Sequence, residues 1–88
     1  MNFLFWEFRI GPNDTVLVEL DRQANVRLMD SLNFREYQTG RACSFRGGLA
    51  VRSPALLVPP HFGHWYVVVD LHGLAGTVRA SVRLASRV

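Results

Sequence analysis

Lysine is missing from this 88-residue chain, and all ten of its basic residues are arginine. Without a lysine, the Gly47-Gly48 pair has no partner for the cradle of a phosphate-binding loop, and no helix start follows it. Cysteine is almost as scarce. Cys43 stands alone, which excludes an intramolecular disulfide and leaves nothing that points to an oxidising compartment. Long apolar runs are also absent, so no stretch of about twenty residues is available to cross a bilayer as a helix. The first six residues are apolar apart from Asn2, but lack a basic start and soon meet Glu7, unlike a secretory leader. A cytoplasmic protein is the expectation. With 49% hydrophobic and 19% charged residues, the composition excludes a disordered chain.

The length supports one compact domain spanning 1–88, with no room for a separate catalytic or cofactor-binding lobe. The net charge of +3 comes from arginines scattered from Arg9 to Arg87 without a cluster. Arginine suits bidentate recognition of phosphate or carboxylate. The plainer reading is a compositional habit, because a nucleic-acid binder gathers its basic residues into a stripe interleaved with aromatics.

Turn signals recur roughly every eight to twelve residues, the spacing of an all-β domain. Phe3 to Ile10 reads as a first strand, stopped by Gly11-Pro12-Asn13-Asp14. Thr15 to Asp21 alternates, with Val16, Val18 and Leu20 on one face, and Val26 to Asp30 reads as its hairpin partner. One helical signal follows: Asn33 and Glu36 at capping-box spacing, Leu32 and Tyr37 at the staple positions, and Gly40 as terminator. Two turns over 33–39 cannot form the helical layer of an α/β fold. Next comes a hairpin at Gly47-Gly48, for which a three-residue loop beginning at Arg46 puts Cys43, Phe45, Leu49 and Val51 on one face. Cys43 is expected to be a buried, inert thiol. Leu56 to Val58 is a short segment ended by Pro59-Pro60.

The last hairpin carries the strongest pattern. Trp65 to Leu71 pairs with Thr77 to Leu84 across a loop through His72-Gly73-Leu74-Ala75, so that Leu71 meets Gly76. Trp65, Val67, Val69 and Leu71 then face the core with Val78, Ala80, Val82 and Leu84. The reverse face places His64 opposite Arg83, Tyr66 opposite Ser81, Val68 opposite Arg79, and Asp70 diagonal to Arg79. Tyr66 and Val68 suggest that this reverse face is partly covered, as in a central strand.

The chain also resembles the bacterial family DUF1883. The residues that carry the likeness are Asn25-Val26-Arg27-Leu28-Met29-Asp30, Asn33-Phe34 with Tyr37, Gly47-Gly48, Arg52-Ser53-Pro54, the block from Gly63-His64-Trp65-Tyr66 to Val67-Val68-Val69-Asp70-Leu71, and Gly76-Thr77-Val78 with Ala80-Ser81-Val82. The resemblance spans nearly the whole chain. It implies a small, mostly β domain, found alone or fused to signalling domains such as TIR, and it supplies no catalytic residues to carry over.

The fold expected is therefore an all-β, single antiparallel β-sandwich, jelly-roll-like, of seven to eight short strands with one short helix near 33–39. A five-stranded barrel of the oligonucleotide-binding type is the competitor, and it has too few strands. For function, a non-catalytic ligand- or protein-binding module is expected. Its candidate contact residues are His64, Tyr66, Arg79, Arg83 and Asp70 on the polar β-face, with Arg52 from the family motif. The ligand class is a protein partner or a small anionic or sugar-like molecule. A simple cross-strand Asp70–Arg79 pair on a solvated sheet is the plainer account of that face.

A small metal-dependent, cupin-like enzyme is the alternative, and a nucleic-acid-binding barrel a further one. For a metal the candidates are His61, His64 and His72 with Asp70, but His61-Phe62-Gly63-His64 lacks the one-residue spacing of a cupin site. His72 lies about 24 Å along the strand from Trp65. No cofactor, metal or catalytic serine is expected. Self-association through an exposed edge strand at Phe3 to Ile10 is a further possibility.

Overall fold

Alternating apolar residues and well-placed turns build seven strands and one helix: β1 (Leu4–Ile10), β2 (Asp14–Leu20), β3 (Ala24–Asp30), α1 (Ser31–Gln38), β4 (Arg46–Ala50), β5 (Ala55–Leu57), β6 (Gly63–Asp70) and β7 (Ala80–Ser86). These come from a computed structural model that describes residues 3–71 and 75–86. The strands form two antiparallel sheets, ordered β1-β6-β3-β4 and β5-β2-β7. The expected sandwich architecture is present, and among the described residues no helix is long and apolar enough to cross a membrane.

Period-two patterning explains the packing between the sheets. Val16 and Val18 of β2 meet Val26 and Leu28 of β3 and Trp65, Val67 and Val69 of β6, all buried in one cluster. The reverse face of β6 is covered as well. Met29 and Val68 are buried beneath Phe34 and Tyr37 of α1. That explains why Val67, Val68 and Val69 are all fully buried: β6 is a central strand with the second sheet on one side and the helix on the other.

Asp30 caps α1, its carboxylate accepting the Asn33 backbone N–H at 2.9 Å, and Gly40 ends it at φ +76°. The helix therefore starts earlier than the Asn33-Glu36 spacing suggests, because Asp30 outcompetes Asn33 for the capping position. Leu32 consequently falls on an exposed face and does not form the expected staple.

Strand pairing differs from expectation at each hairpin. β2 and β3 lie in different sheets, as do β6 and β7: β6 pairs with β1 and β3, whereas β7 pairs with β2. A short polar turn serves equally well for a hairpin or for an arch that carries the chain to the facing sheet, and either route buries the same apolar face. Trp65, Val67 and Val69 do point inward with Val82, from opposite sheets, but Leu84 is 43% exposed. His72, Gly73 and Leu74 of the presumed loop lie outside the described residues.

Gly47-Gly48 makes no turn. Both glycines lie in β4, opposite Arg27 and Val26 of β3, at φ +105° and +150°. A Cβ on Gly47 would meet the Val26 carbonyl oxygen at 2.3 Å, so the two backbones approach more closely than any side chain permits. Leu49, Val51 and Phe45 are consequently exposed, and Cys43 is half-buried rather than buried, so the four do not share a core face.

Candidate functional site

The helix-covered face of the four-stranded sheet holds the most connected polar group. Asp70, at the end of β6, is 3% exposed. Its carboxylate accepts hydrogen bonds from the Arg27 guanidinium and the Tyr37 hydroxyl, and from Asn25 Nδ2 at 3.2 Å. Burial pushes the carboxyl pKa upward, but these three donors and the positive charge of Arg27 more than offset it, so the acid sits below its ordinary range. Tyr37 is pushed well above its usual value, first by burial and then by the Asp70 carboxylate. Arg27 lies over the Phe45 ring at 5.0 Å and the Tyr37 ring at 5.7 Å. These contacts tie α1 to β3 and β6.

Nearer the other end of the same face, His64 Nε2 lies 2.8 Å from Glu7 Oε2, and His64 Nδ1 lies 3.4 Å from Ser31 Oγ. The tautomer decides which ring nitrogen donates. Tyr66 stacks on Phe34 at 4.0 Å and borders His64 at 4.9 Å. Burial, followed by the neighbouring Glu7 carboxylate, raises its phenol pKa. Glu7 and Ser31 are both solvent-accessible.

The constellation expected on the last hairpin is dispersed by the true pairing. Arg9 and not Arg83 stands opposite His64, Glu7 and Met29 flank Tyr66, and Asn25 stands opposite Asp70. His64 and Tyr66 remain together, while Asp70 has taken Arg27 in place of Arg79. Arg83 reaches Glu19 at 3.3 Å on the outer face of the three-stranded sheet. Arg79 donates its backbone N–H to Asp21 at 2.8 Å. His61 packs on Trp65 at 5.0 Å, and Trp65 Nε1 donates to the His61 carbonyl. Among the described residues no group of three or more His, Cys, Asp or Glu is placed to hold a metal ion, and His72 lies outside them.

The site that sequence reasoning missed lies between the sheets. β4 ends one sheet and β5 ends the other, and no further described strand pairs with their outer edges. Between them runs a groove of about 460 Å³, bordered by Gly47, Gly48, Leu49, Arg52, Leu56 and Leu57 among others. Gly48 contributes to it, since nothing lies within 4 Å of where a Cβ there would stand. Leu49, Val51 and Leu56 are each at least 60% exposed around it. Residues 51–54, which join β4 to β5, close one end and carry Arg52.

A smaller hollow of about 190 Å³ continues from that closed end. Arg52, alone among the expected contact residues, lines both spaces. Arg79 borders a third hollow, which shares Leu20, Asp21 and Ser53 with the second. The signal available in the sequence was the pair of glycines beside apolar residues with no turn-forming asparagine, aspartate or proline.

Fold and surface together define a small two-sheet β domain, covered by a helix on one side and grooved along the lateral edge where β4 and β5 meet. The family model described as "Domain of unknown function (DUF1883)" matches residues 1–87. The chain belongs to the DUF1883 family. No curated protein and no solved structure matches it.

Proposed function

We propose that this domain is a binding module that takes an extended polypeptide segment into the groove between β4 and β5. The observation that carries this reading is the meeting of two unpaired strand edges across an apolar channel. Strand edges present backbone N–H and C=O groups in a fixed register, and an added extended segment satisfies them while its alternate side chains fill the channel. Leu49, Val51 and Leu56 supply the apolar contacts on the rim. Among the described residues no acid lines the groove and Arg52 does, which favours an occupant without positive charge near that end.

This assigns the expected protein partner to a different face from the one inferred from the sequence. Asp70 is fully used in holding Arg27, Tyr37 and Asn25, and the arginines expected beside His64 and Tyr66 stand on the other sheet. An anionic or sugar-like ligand at His64 and Tyr66 is the weaker alternative.

The test is selection of random displayed hexapeptides on the purified domain, followed by amide chemical-shift mapping with the enriched peptides. Shifts concentrated in β4 and β5, and binding weakened at least tenfold by Leu49→Glu and by Leu56→Glu, support the reading. Both positions are well exposed, so these changes leave the fold intact. Shifts centred on His64 and Tyr66, or a sedimentation shift showing that a second copy of the domain fills the groove, overturn it.

A further inference from the structure

Resting on that reading, we infer that the groove receives the C-terminal end of its partner, with the terminal carboxylate held by Arg52 and Arg22. The geometry points to this through the way the channel ends. β4 and β5 are consecutive strands, and residues 51–54 pass from one to the other across one end of the groove. An extended segment entering from the open end meets that connection and stops there. A dead end suits a chain terminus better than a segment that must continue in both directions.

The chemistry at the closed end selects which terminus. The adjoining hollow shares Ala50, Val51 and Arg52 with the groove and adds Arg22 from the β2–β3 turn. Both arginines are exposed, and neither forms an ion pair among the described residues. Arg27, Arg41 and Arg83 each lie within 4 Å of a carboxylate, and of the described arginines without such a partner only Arg22 and Arg52 border this hollow. Arg22 makes one long contact, Nη1 to the Ala75 carbonyl at 3.4 Å, which leaves most of its donors available.

Among the described residues the only acid lining the hollow is Asp21, and one of its oxygens already accepts the Arg79 backbone N–H. Arg22 and Arg52 against one engaged carboxylate leave a net positive lining, with the Arg22 guanidinium beside Ala75 and Gly76 at its rim. A terminal ammonium would be repelled there, whereas a carboxylate can accept paired N–H donors from an arginine fork.

The experiment compares two libraries of random hexapeptides on the same domain, one displayed with a free C-terminus and one embedded so that neither end is free. Selected peptides are then synthesised as the free acid, as the C-terminal amide, and as the amide ending in aspartate, and binding is followed by fluorescence anisotropy. The expected result is enrichment from the free-C-terminus library. The acid should bind at least tenfold more tightly than the amide, and the Arg22→Ala/Arg52→Ala double variant should reduce that ratio to below about twofold. Equal enrichment from the two libraries, or equal affinity of acid and amide, overturns this inference and leaves the groove reading standing. An aspartate amide that matches the free acid overturns the terminus in favour of a side-chain carboxylate. Enrichment from neither library overturns both.

Discussion

Arg27 and Asp70 sit on neighbouring strands but not opposite one another: Asn25 faces Asp70, Val68 faces Arg27, and the guanidinium reaches diagonally across the sheet to the carboxylate. The carboxylate side chain is 1% exposed and the guanidinium 12%. Diagonal neighbours on one face of a sheet come within reach of a side chain as long as arginine.

Removing one partner alone is expected to be costly, because the other is left buried and unpaired. Asp70→Leu or Arg27→Met should each lower unfolding free energy by about 3–5 kcal/mol, while the double variant should lose clearly less than the sum. Urea denaturation of the four proteins checks this. A double variant as unstable as the added singles would show that the two groups do not act as a pair.

The pH dependence follows from the same contacts. A carboxylate whose folded-state pKa lies below its unfolded value contributes stability above the unfolded value, and that contribution is lost as pH falls through the folded one. The wild-type chain should therefore become less stable as pH drops below about 4, with a shallower slope in Asp70→Asn. Chemical denaturation across pH 2–7 measures both slopes.

At the alkaline end Tyr37 sets the limit. Its phenol ionises more readily unfolded than folded, so its stabilisation is complete below the unfolded value near 10 and declines above it. Tyr37→Phe should flatten the decline above pH 10. At neutral pH it should cost about 1.5–3 kcal/mol, the range for a hydrogen bond to a charged group.

Gly47→Ala should destabilise by about 1–3 kcal/mol, because it combines a left-handed backbone with a collision against the Val26 carbonyl. Thermal melts read this directly. An unchanged melting temperature would mean that β4 does not run as closely along β3 as described.

Loss of the helix cap is a milder change. Asp30→Ala removes the acceptor for the Asn33 backbone N–H and side-chain amide, and should cost about 1 kcal/mol. Amide exchange in the first turn of α1 should rise while the strands stay protected.

What was legible in the sequence was the direction of each side chain. Period-two alternation placed Trp65, Val67 and Val69 inward, and the apolar content of the opposite face of β6 announced a second covering layer, which is α1. The partner of each strand was not legible, since pairing depends on long-range closure that local patterning does not encode. The candidate site suffered for that reason. His64, Tyr66, Arg79 and Arg83 converge only if β6 and β7 are neighbours, and β2 holds β7 in the other sheet. Arg52 alone was placed where it borders a groove, through the Arg52-Ser53-Pro54 motif and not through any geometric argument. Paired glycines usually signal a turn, while here Gly47 lets β4 approach β3 closely and Gly48 leaves open space beside the channel.

The crossing path of the chain bears on how it matures. β1 is held by β6, and β2 by β7, so each sheet waits for strands made well after α1. A nascent chain halted after α1 has no partner for β1 or β2 and exposes their apolar faces to aggregation. Folding should therefore be a late, slow event that follows release of β6 and β7 from the ribosome, on the millisecond-to-second scale typical of β domains dominated by distant pairings.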